Sequence, residues 1–367
     1  MILMSFITQV DMGALLVLAY AAAAALVSFG ICVLAYPIGK VTGLMDDPKA
    51  KSHSAHAVTT PLVGGIAIIV PWVIMAELNP FVMNLLLPGQ AELYPRFWLS
   101  AFLLFFVVIG LLDDKFHLSA RLRLLIMMPF LTLLVYVYPD FAIDLLTAPA
   151  FGISVSLGMF AAPFTALCML AFTNAVNMAD GRNGLVIGFS LIWAVVLLAY
   201  VPPYFSVLLS AIIASLVVTG IFNLKGRLFL GDCGTYALAT ILGLVSLYAH
   251  GQPLEAGGIS STQLATLFAI PGLDMFRLIA SRASRGVSPM LGDHDHLHHR
   301  LDRQYGWALG LPTYLAMVLM PIIVGFSDGM MGTAGLLAAI ILYCGAWYVT
   351  REARQTVFVV RAPESST

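Results

Sequence analysis

The sequence predicts an all-α polytopic membrane protein with about eleven transmembrane helices, and three observations carry that prediction. Of its 367 residues, 60% are hydrophobic and 10% are charged, against roughly 25% charged in an ordinary soluble domain. Apolar runs of near-spanning length recur from one end of the chain to the other. The Lys and Arg residues between them fall on alternate connections. Eighteen basic residues against nineteen acidic ones give a net charge of -1, which excludes a basic nucleic-acid binder.

Taken in order, the spans are predicted near 12–38, 61–77, 97–112, 124–138, 155–173, 185–201, 204–221, 233–249, 262–281, 309–326 and 332–349. The first has no basic segment before it and is too long for a signal-peptide core, so it is expected to stay as a membrane helix closed by Lys40. With the amino terminus outside, connections 39–60, 113–123, 174–184, 222–232, 282–308 and the end from 350 onward face the cytoplasm. With Arg277 snorkelling inward from its span, that side then holds seventeen of the eighteen Lys and Arg, Arg96 excepted, and seven of the eight histidines, His250 excepted. Residues 1–350 are expected to form one integral membrane domain, followed by a short cytoplasmic tail over 351–367. Cys32, Cys168, Cys233 and Cys344 lie far apart without metal-type spacing and read as packing residues.

Four segments on the predicted cytoplasmic side concentrate polar residues. At the end of the third span, Asp113 and Asp114 precede Lys115. Two acids at a helix carboxyl end face the negative pole of the helix dipole, which calls for a cation, a metal or Lys115. Next, Asn174, Asn177 and Asp180 recur at intervals of three and run into Gly181-Arg182-Asn183-Gly184; amides and carboxylates spaced this way suit a pocket with several donors and acceptors. In the third segment, Phe229-Leu230-Gly231-Asp232 sets an acid between glycines just before a span. Such an acid suits a magnesium–phosphate site, and Phe229 suits either stacking on a base or interfacial packing. Last comes Asp293-His294-Asp295-His296-Leu297-His298-His299-Arg300, preceded by Arg277, Arg282 and Arg285. Imidazole and guanidinium groups there fit phosphate recognition better than a transition metal, since neither an HExxH pattern nor cysteine support is present.

With these residues in view, the chain resembles the polyprenyl-phosphate N-acetylhexosamine-1-phosphate transferases (glycosyltransferase family 4). It looks most like the bacterial branch that uses UDP-GlcNAc and undecaprenyl phosphate. The resemblance runs from about Asp46 to Leu301 and rests on Pro61-Leu62-Val63-Gly64-Gly65, Asp113-Asp114 with Leu118-Ser119-Ala120-Arg121, the 174–185 loop, Phe229 to Asp232, and the His-x-His-His run ending at His299. It implies transfer of GlcNAc-1-phosphate to undecaprenyl phosphate with release of UMP, as the first step of a cell-surface glycan of O-antigen, common-antigen or teichoic-acid-linkage type. It also implies a multi-pass protein of the bacterial inner membrane with a cytoplasmic catalytic face, a Mg2+ requirement in which Mn2+ can substitute, and a homodimer.

Residue by residue, the resemblance makes Asp232 the metal ligand and Asp113 the acid that deprotonates or orients the lipid phosphate, with Asp114 its essential neighbour. Asp180, His296, His298 and His299 join them as catalytic residues. Lys115, Asn174, Asn177, Asn183, Phe229 and His56 are implied at the substrates, with Arg277, Arg282 and Arg285 as weaker candidates. Two departures stand out: Asn183 occupies the second acid of the family's Asp-Gly-x-Asp-Gly pattern and so cannot act as a base, and His53-Ser54 replaces a basic pair before His56.

Within the family the runner-up is phospho-MurNAc-pentapeptide transfer, or transfer from another UDP-HexNAc. It ranks lower because that branch carries a His-His-His pattern. A phospho-enzyme route through an aspartate fits the same residues as direct displacement. A secondary transporter shares the composition, but transport coupling places ionisable groups near the bilayer midplane, where only Asp274 is predicted to lie.

Overall fold

The computed structural model describes residues 2–47, 58–86, 98–288 and 295–351. His56, the basic positions around it, Asp293, His294 and the tail beyond 351 lie outside the described residues. Fourteen α-helices are described: α1 (Ile2–Val33), α2 (Ala35–Thr42), α3 (Gly64–Leu86), α4 (Trp98–Phe116), α5 (Ala120–Val137), α6 (Ala161–Ala179), α7 (Leu185–Leu197), α8 (Pro203–Leu224), α9 (Gly231–Gly251), α10 (Ser261–Leu267), α11 (Ala269–Ser284), α12 (Leu297–Tyr305), α13 (Trp307–Gly325) and α14 (Gly332–Val349). Seven helical segments are long and apolar enough to cross a membrane, or eight if α10 and α11 form one bent span. The other three predicted spans, 61–77, 97–112 and 185–201, fall on α3, α4 and α7.

The helices depart from the predicted runs where proline or β-branched residues intervene. The first run breaks at Leu34, between α1 and α2. Pro37 has no N–H to give the Val33 carbonyl, so the first helix cannot continue through it. The run at 262–281 is two helices bent by 76° at Phe268, and Pro271 likewise leaves the Leu267 carbonyl without its helical partner. A capping box starts α10, with the Ser260 side chain accepting from Gln263 N and the Gln263 side chain accepting from Ser260 N.

Two short antiparallel ribbons interrupt the helices. Strand β1 (Met45–Asp46) pairs antiparallel with β2 (Thr60–Pro61). Strand β3 (Leu145–Ala148) pairs antiparallel with β4 (Ile153–Ser156), in register Leu145↔Ser156 to Ala148↔Ile153. Residues 155–160, assigned to the fifth span from their apolarity, therefore precede its helix. Alternation of Ile153 and Val155 with serine and glycine was the strand signal.

Helix α9 is the axis of the molecule: 89% of it is buried, against 22% of α5 or α14, and it packs against α3, α4, α6 and α7. Small residues allow that crowding. A Cβ at Gly65 would stand 2.4 Å from Gly234 N, and one at Gly110 would stand 2.4 Å from Cys233 Cα, so α3 and α4 both meet the first turn of α9 backbone to backbone. Below these crossings the core is apolar and aromatic, with Trp193 packed among Phe172, Phe189 and Phe268. The first turn of α9 is thus held from several sides, and the polar segments gather around it.

Candidate active site

The loop entering α9 is fixed before any side-chain chemistry begins. Phe229 N donates to Pro61 O, while Gly64 N and Gly65 N donate to Phe229 O and Leu230 O, all at 2.9 Å. This ties the Pro-Leu-Val-Gly-Gly and Phe-Leu-Gly-Asp segments into one unit. Gly231 then turns into the helix with φ 74°, a conformation that disfavours a side chain, and a Cβ there would stand 2.8 Å from Asp114. Asn223 holds the neighbouring segment: its Oδ1 accepts from Gly184 N at 2.6 Å and its Nδ2 donates to Leu228 O at 3.0 Å.

The two adjacent acids of α4 have separate roles, as their 100° separation on a helix requires. Asp114 caps the amino end of α9, its Oδ1 accepting from Asp232 N at 2.8 Å and its Oδ2 from Cys233 N at 3.0 Å. Asp113 is 3% exposed. Its Oδ2 accepts from Arg123 at 2.7 Å and from the Tyr236 hydroxyl at 2.7 Å. The cation sought for this helix end is therefore Arg123, joined by the N–H groups of α9. Lys115 is exposed and sits over the Phe116 ring at 5.7 Å, rather than on the acids.

Asp232 completes the cluster. Asn177 Nδ2 donates to its Oδ1 and, at 3.0 Å, to Thr235 Oγ1. Asp180 ends α6 beside the same group. Burial, followed by the charges of Asp232 and Asp113, pushes the Asp114 carboxyl up to about 8, against the pull of its two N–H donors. Burial and then Asp232 push Asp180 up to about 7. Asp113, Asp114 and Asp180 each interact electrostatically with Asp232, and among the described residues Arg123 is the cation hydrogen-bonded to Asp113. An excess of hard oxygen donors with unrelieved mutual repulsion is the donor chemistry that suits Mg2+.

The histidine segment closes onto the Asp180 loop. A Cβ on Gly181 would fall 3.1 Å from His299 Nε2 and closer still to His298 Nε2, so glycine is required for this approach. The His298 and His299 rings lie 4.2 Å apart, and those of His296 and His298 are stacked at 5.3 Å. His298 is 1% exposed with neither ring nitrogen hydrogen-bonded, and burial with its histidine neighbours holds it well below the usual imidazole range. The loop is latched to the same side: Arg182 pairs with Asp302 of α12 and lies over Trp307, whose Nε1 donates to Asn183 O at 2.9 Å.

The other predicted contact residues are placed as follows. Arg277 is turned inward to hold the histidine segment, its Nε donating to Tyr343, its Nη1 to Asp295 Oδ2 and its Nη2 to Asp274 Oδ1 and Asp295 O. Four of its five N–H donors are thereby engaged within the protein. Asn174 Nδ2 is spent on Leu170 O of its own helix at 2.8 Å. Arg285 donates Nε to Ser281 O on the surface of α11, while Arg282 is buried. Phe229 is half-buried at the entrance to α9, and the Asn183 amide faces Gly226.

Arg123 and Tyr236 are the participants that motif reading missed. Tyr236 had a signal, since it follows Asp232 by four residues and shares its helix face. Arg123 had a weaker one: the connection over 117–119 is so short that α5 must double back beside the end of α4.

Buried carboxylates thus gather at one end of a bundle of membrane-length helices. Residues 96–250 match the sequence model of glycosyl transferase family 4. The chain is 28% identical over 291 residues to the undecaprenyl-phosphate α-N-acetylglucosaminyl 1-phosphate transferase of Yersinia pestis, covering 76% of this chain and 74% of the relative. It is 27% identical to a probable undecaprenyl-phosphate N-acetylglucosaminyl 1-phosphate transferase of Bacillus subtilis, covering 77% and 75%. To the phospho-N-acetylmuramoyl-pentapeptide-transferase of Levilactobacillus brevis it is 28% identical, covering 71% and 83%.

Proposed function

We propose that this protein transfers GlcNAc-1-phosphate from UDP-GlcNAc to undecaprenyl phosphate at the cytoplasmic face of a bacterial inner membrane, releasing UMP and starting a cell-surface glycan. The observation that carries the reading is the convergence of Asp113, Asp114, Asp180 and Asp232 at the first turn of α9, beside the histidine helix. The relatives' names support the lipid and the sugar. The distribution of basic residues supports eleven spans, with the amino terminus outside and the carboxyl terminus in the cytoplasm.

In the proposed reaction an oxygen of the lipid phosphate attacks the β-phosphorus of the donor. A new P–O bond forms as the bond to UMP breaks, and UMP leaves with that electron pair. With the lipid phosphate as a dianion the charges balance and no proton moves, so catalysis is positioning and charge neutralisation. Asp232 and Asp180 would hold Mg2+, whose contribution when bound is to neutralise the diphosphate oxygens. Asp113, fixed by Arg123 and Tyr236, would orient the lipid phosphate. Asp114 acts through α9, whose first turn it caps. Asn177 aligns Asp232, and Phe229 and Asn183 are assigned to the uracil side.

Purified protein offered UDP-GlcNAc, UDP-GalNAc and UDP-MurNAc-pentapeptide tests the donor. UMP release is expected to be fastest with UDP-GlcNAc. Preference for the pentapeptide donor would instead support the second reading, which the Levilactobacillus relative favours. Uptake into proteoliposomes without any nucleotide product would replace both with transport.

A further inference from the structure

Asp274 lies in α11 beneath the histidine segment, 4% exposed, and the proposed reaction as written makes no use of it. Its Oδ2 receives His296 Nδ1 at 3.0 Å, and both its oxygens face Leu297 N, at 3.2 and 3.3 Å. Its Oδ1 accepts from the Tyr343 hydroxyl of α14 at 2.8 Å and from Arg277 at 3.1 Å. Three elements therefore meet on one carboxylate.

Two details give this convergence a purpose. His296 is the N-cap residue of α12, yet its side chain makes no capping bond. Asp274 supplies the cap from another helix by accepting the first N–H of α12, which leaves the imidazole available for something else. Second, a carboxylate paired with a guanidinium is an acceptor only, so the proton between it and His296 sits on Nδ1. A neutral ring then carries its lone pair on Nε2.

Asp274, His296 and His298 also bring ligand-type atoms within 4.8 Å of one another, which suggests a metal. A cation there would have to displace Arg277 and the Leu297 N–H from oxygens they already occupy. The arrangement reads better as an acid–imidazole pair of the kind that holds a ring in one tautomer.

We propose that Asp274 is a positioning residue for His296, fixing its ring and its Nδ1–H tautomer so that Nε2 serves as a hydrogen-bond acceptor towards the substrates. The role in turnover rests on the transferase reading above. Arg277 and Tyr343 hold Asp274 in turn, and so link α14 to the site.

The test uses the full-length protein with Asp274→Asn, Asp274→Glu and Tyr343→Phe, followed by UMP release, thermal stability and the 15N spectrum of histidine-labelled protein, with the His296 signal assigned by its loss in His296→Gln. Asp274→Asn is expected to lower kcat roughly tenfold or more, with KM for the donor within about twofold, and to move the His296 signal away from the Nδ1–H form. Asp274→Glu should restore part of kcat. Tyr343→Phe, which removes a different donor from the same carboxylate, should lower Tm while leaving kcat within about twofold and the His296 signal in place. Loss of kcat in proportion to Tm in both Asp274→Asn and Tyr343→Phe, or an unmoved His296 signal in Asp274→Asn, would overturn the proposal. If the unaltered protein releases no UMP, the transferase reading fails by itself, and the His296 signal, which needs no substrate, still decides the positioning.

Discussion

Asp232 has the simplest predicted phenotype at the scale of single residues. It stands at the start of the most buried helix, with Asn177 on one oxygen, and in the proposed reaction it meets charge that develops on the diphosphate. Asp232→Ala is expected to reduce Mg2+-dependent UMP release roughly 100-fold or more, and turnover near that of the parent protein would refute a ligand role. Arg123 calls for a different expectation. It neutralises a buried acid, so Arg123→Met strands the Asp113 charge, at a cost on the order of 3–5 kcal/mol when a buried pair is broken. A large fall in Tm should therefore accompany its loss of activity, whereas Tyr236→Phe, which leaves the ion pair intact, should cost about 1 kcal/mol. Equal Tm values for Arg123→Met and Tyr236→Phe would contradict this division. Asp113, Asp180 and Asp232 stood out in the sequence because their residue types and neighbours are unusual in an apolar chain. Tyr236 stood out less, because its contacts join residues more than a hundred positions apart, and Arg123, ten positions from Asp113, is brought to it only by the tight turn between α4 and α5.

At the scale of elements, the close approach of α3 and α4 to α9 sets the geometry of the site. Gly110 lies one turn before Asp114, and its bare backbone lets α4 come near enough for Asp114 to reach the N–H groups of Asp232 and Cys233. Gly110→Ala is expected to destabilise by about 1–3 kcal/mol through overpacking and to lower activity by drawing Asp114 off its cap; unchanged Tm and turnover would show that the helices separate freely. Where helices end was less legible than where they run. Apolar length identified the long segments, but the breaks at Leu34 and Phe268 depend on a missing N–H four residues downstream of a carbonyl, and the β3–β4 ribbon is hidden within an apolar stretch. The histidine segment shows the same limit: four histidines marked it as unusual, yet the bonds by which Arg277 holds it to α11 were not legible.

At the scale of the whole molecule, scarcity of charge is coupled to its concentration. Asp114 and Asp180, raised to about 8 and about 7, keep protons in the metal-free fold that an unfolded chain releases near pH 4. Native protein then binds more protons than unfolded protein across that window, so metal-free stability falls as pH rises from about 4 to about 8. Mg2+ binding at Asp180 and Asp232, raised to about 7 and about 6, requires their ionised forms, so stabilisation by Mg2+ should be small below about pH 6 and larger above about pH 7, as read by Tm with and without the ion. A pH-independent increment would contradict metal binding at these acids. The proposed orientation is tested separately by a reporter fused after Thr367, expected in the cytoplasm; an extracytoplasmic signal would reverse it. The central claim is phosphoryl transfer between a nucleotide sugar and a lipid phosphate. Its most direct test is to incubate the purified protein with UDP-GlcNAc, undecaprenyl phosphate and Mg2+ and follow both products by mass spectrometry. Equal amounts of UMP and undecaprenyl-diphosphate-GlcNAc are predicted; release of UDP, or of UMP without the lipid product, would contradict it.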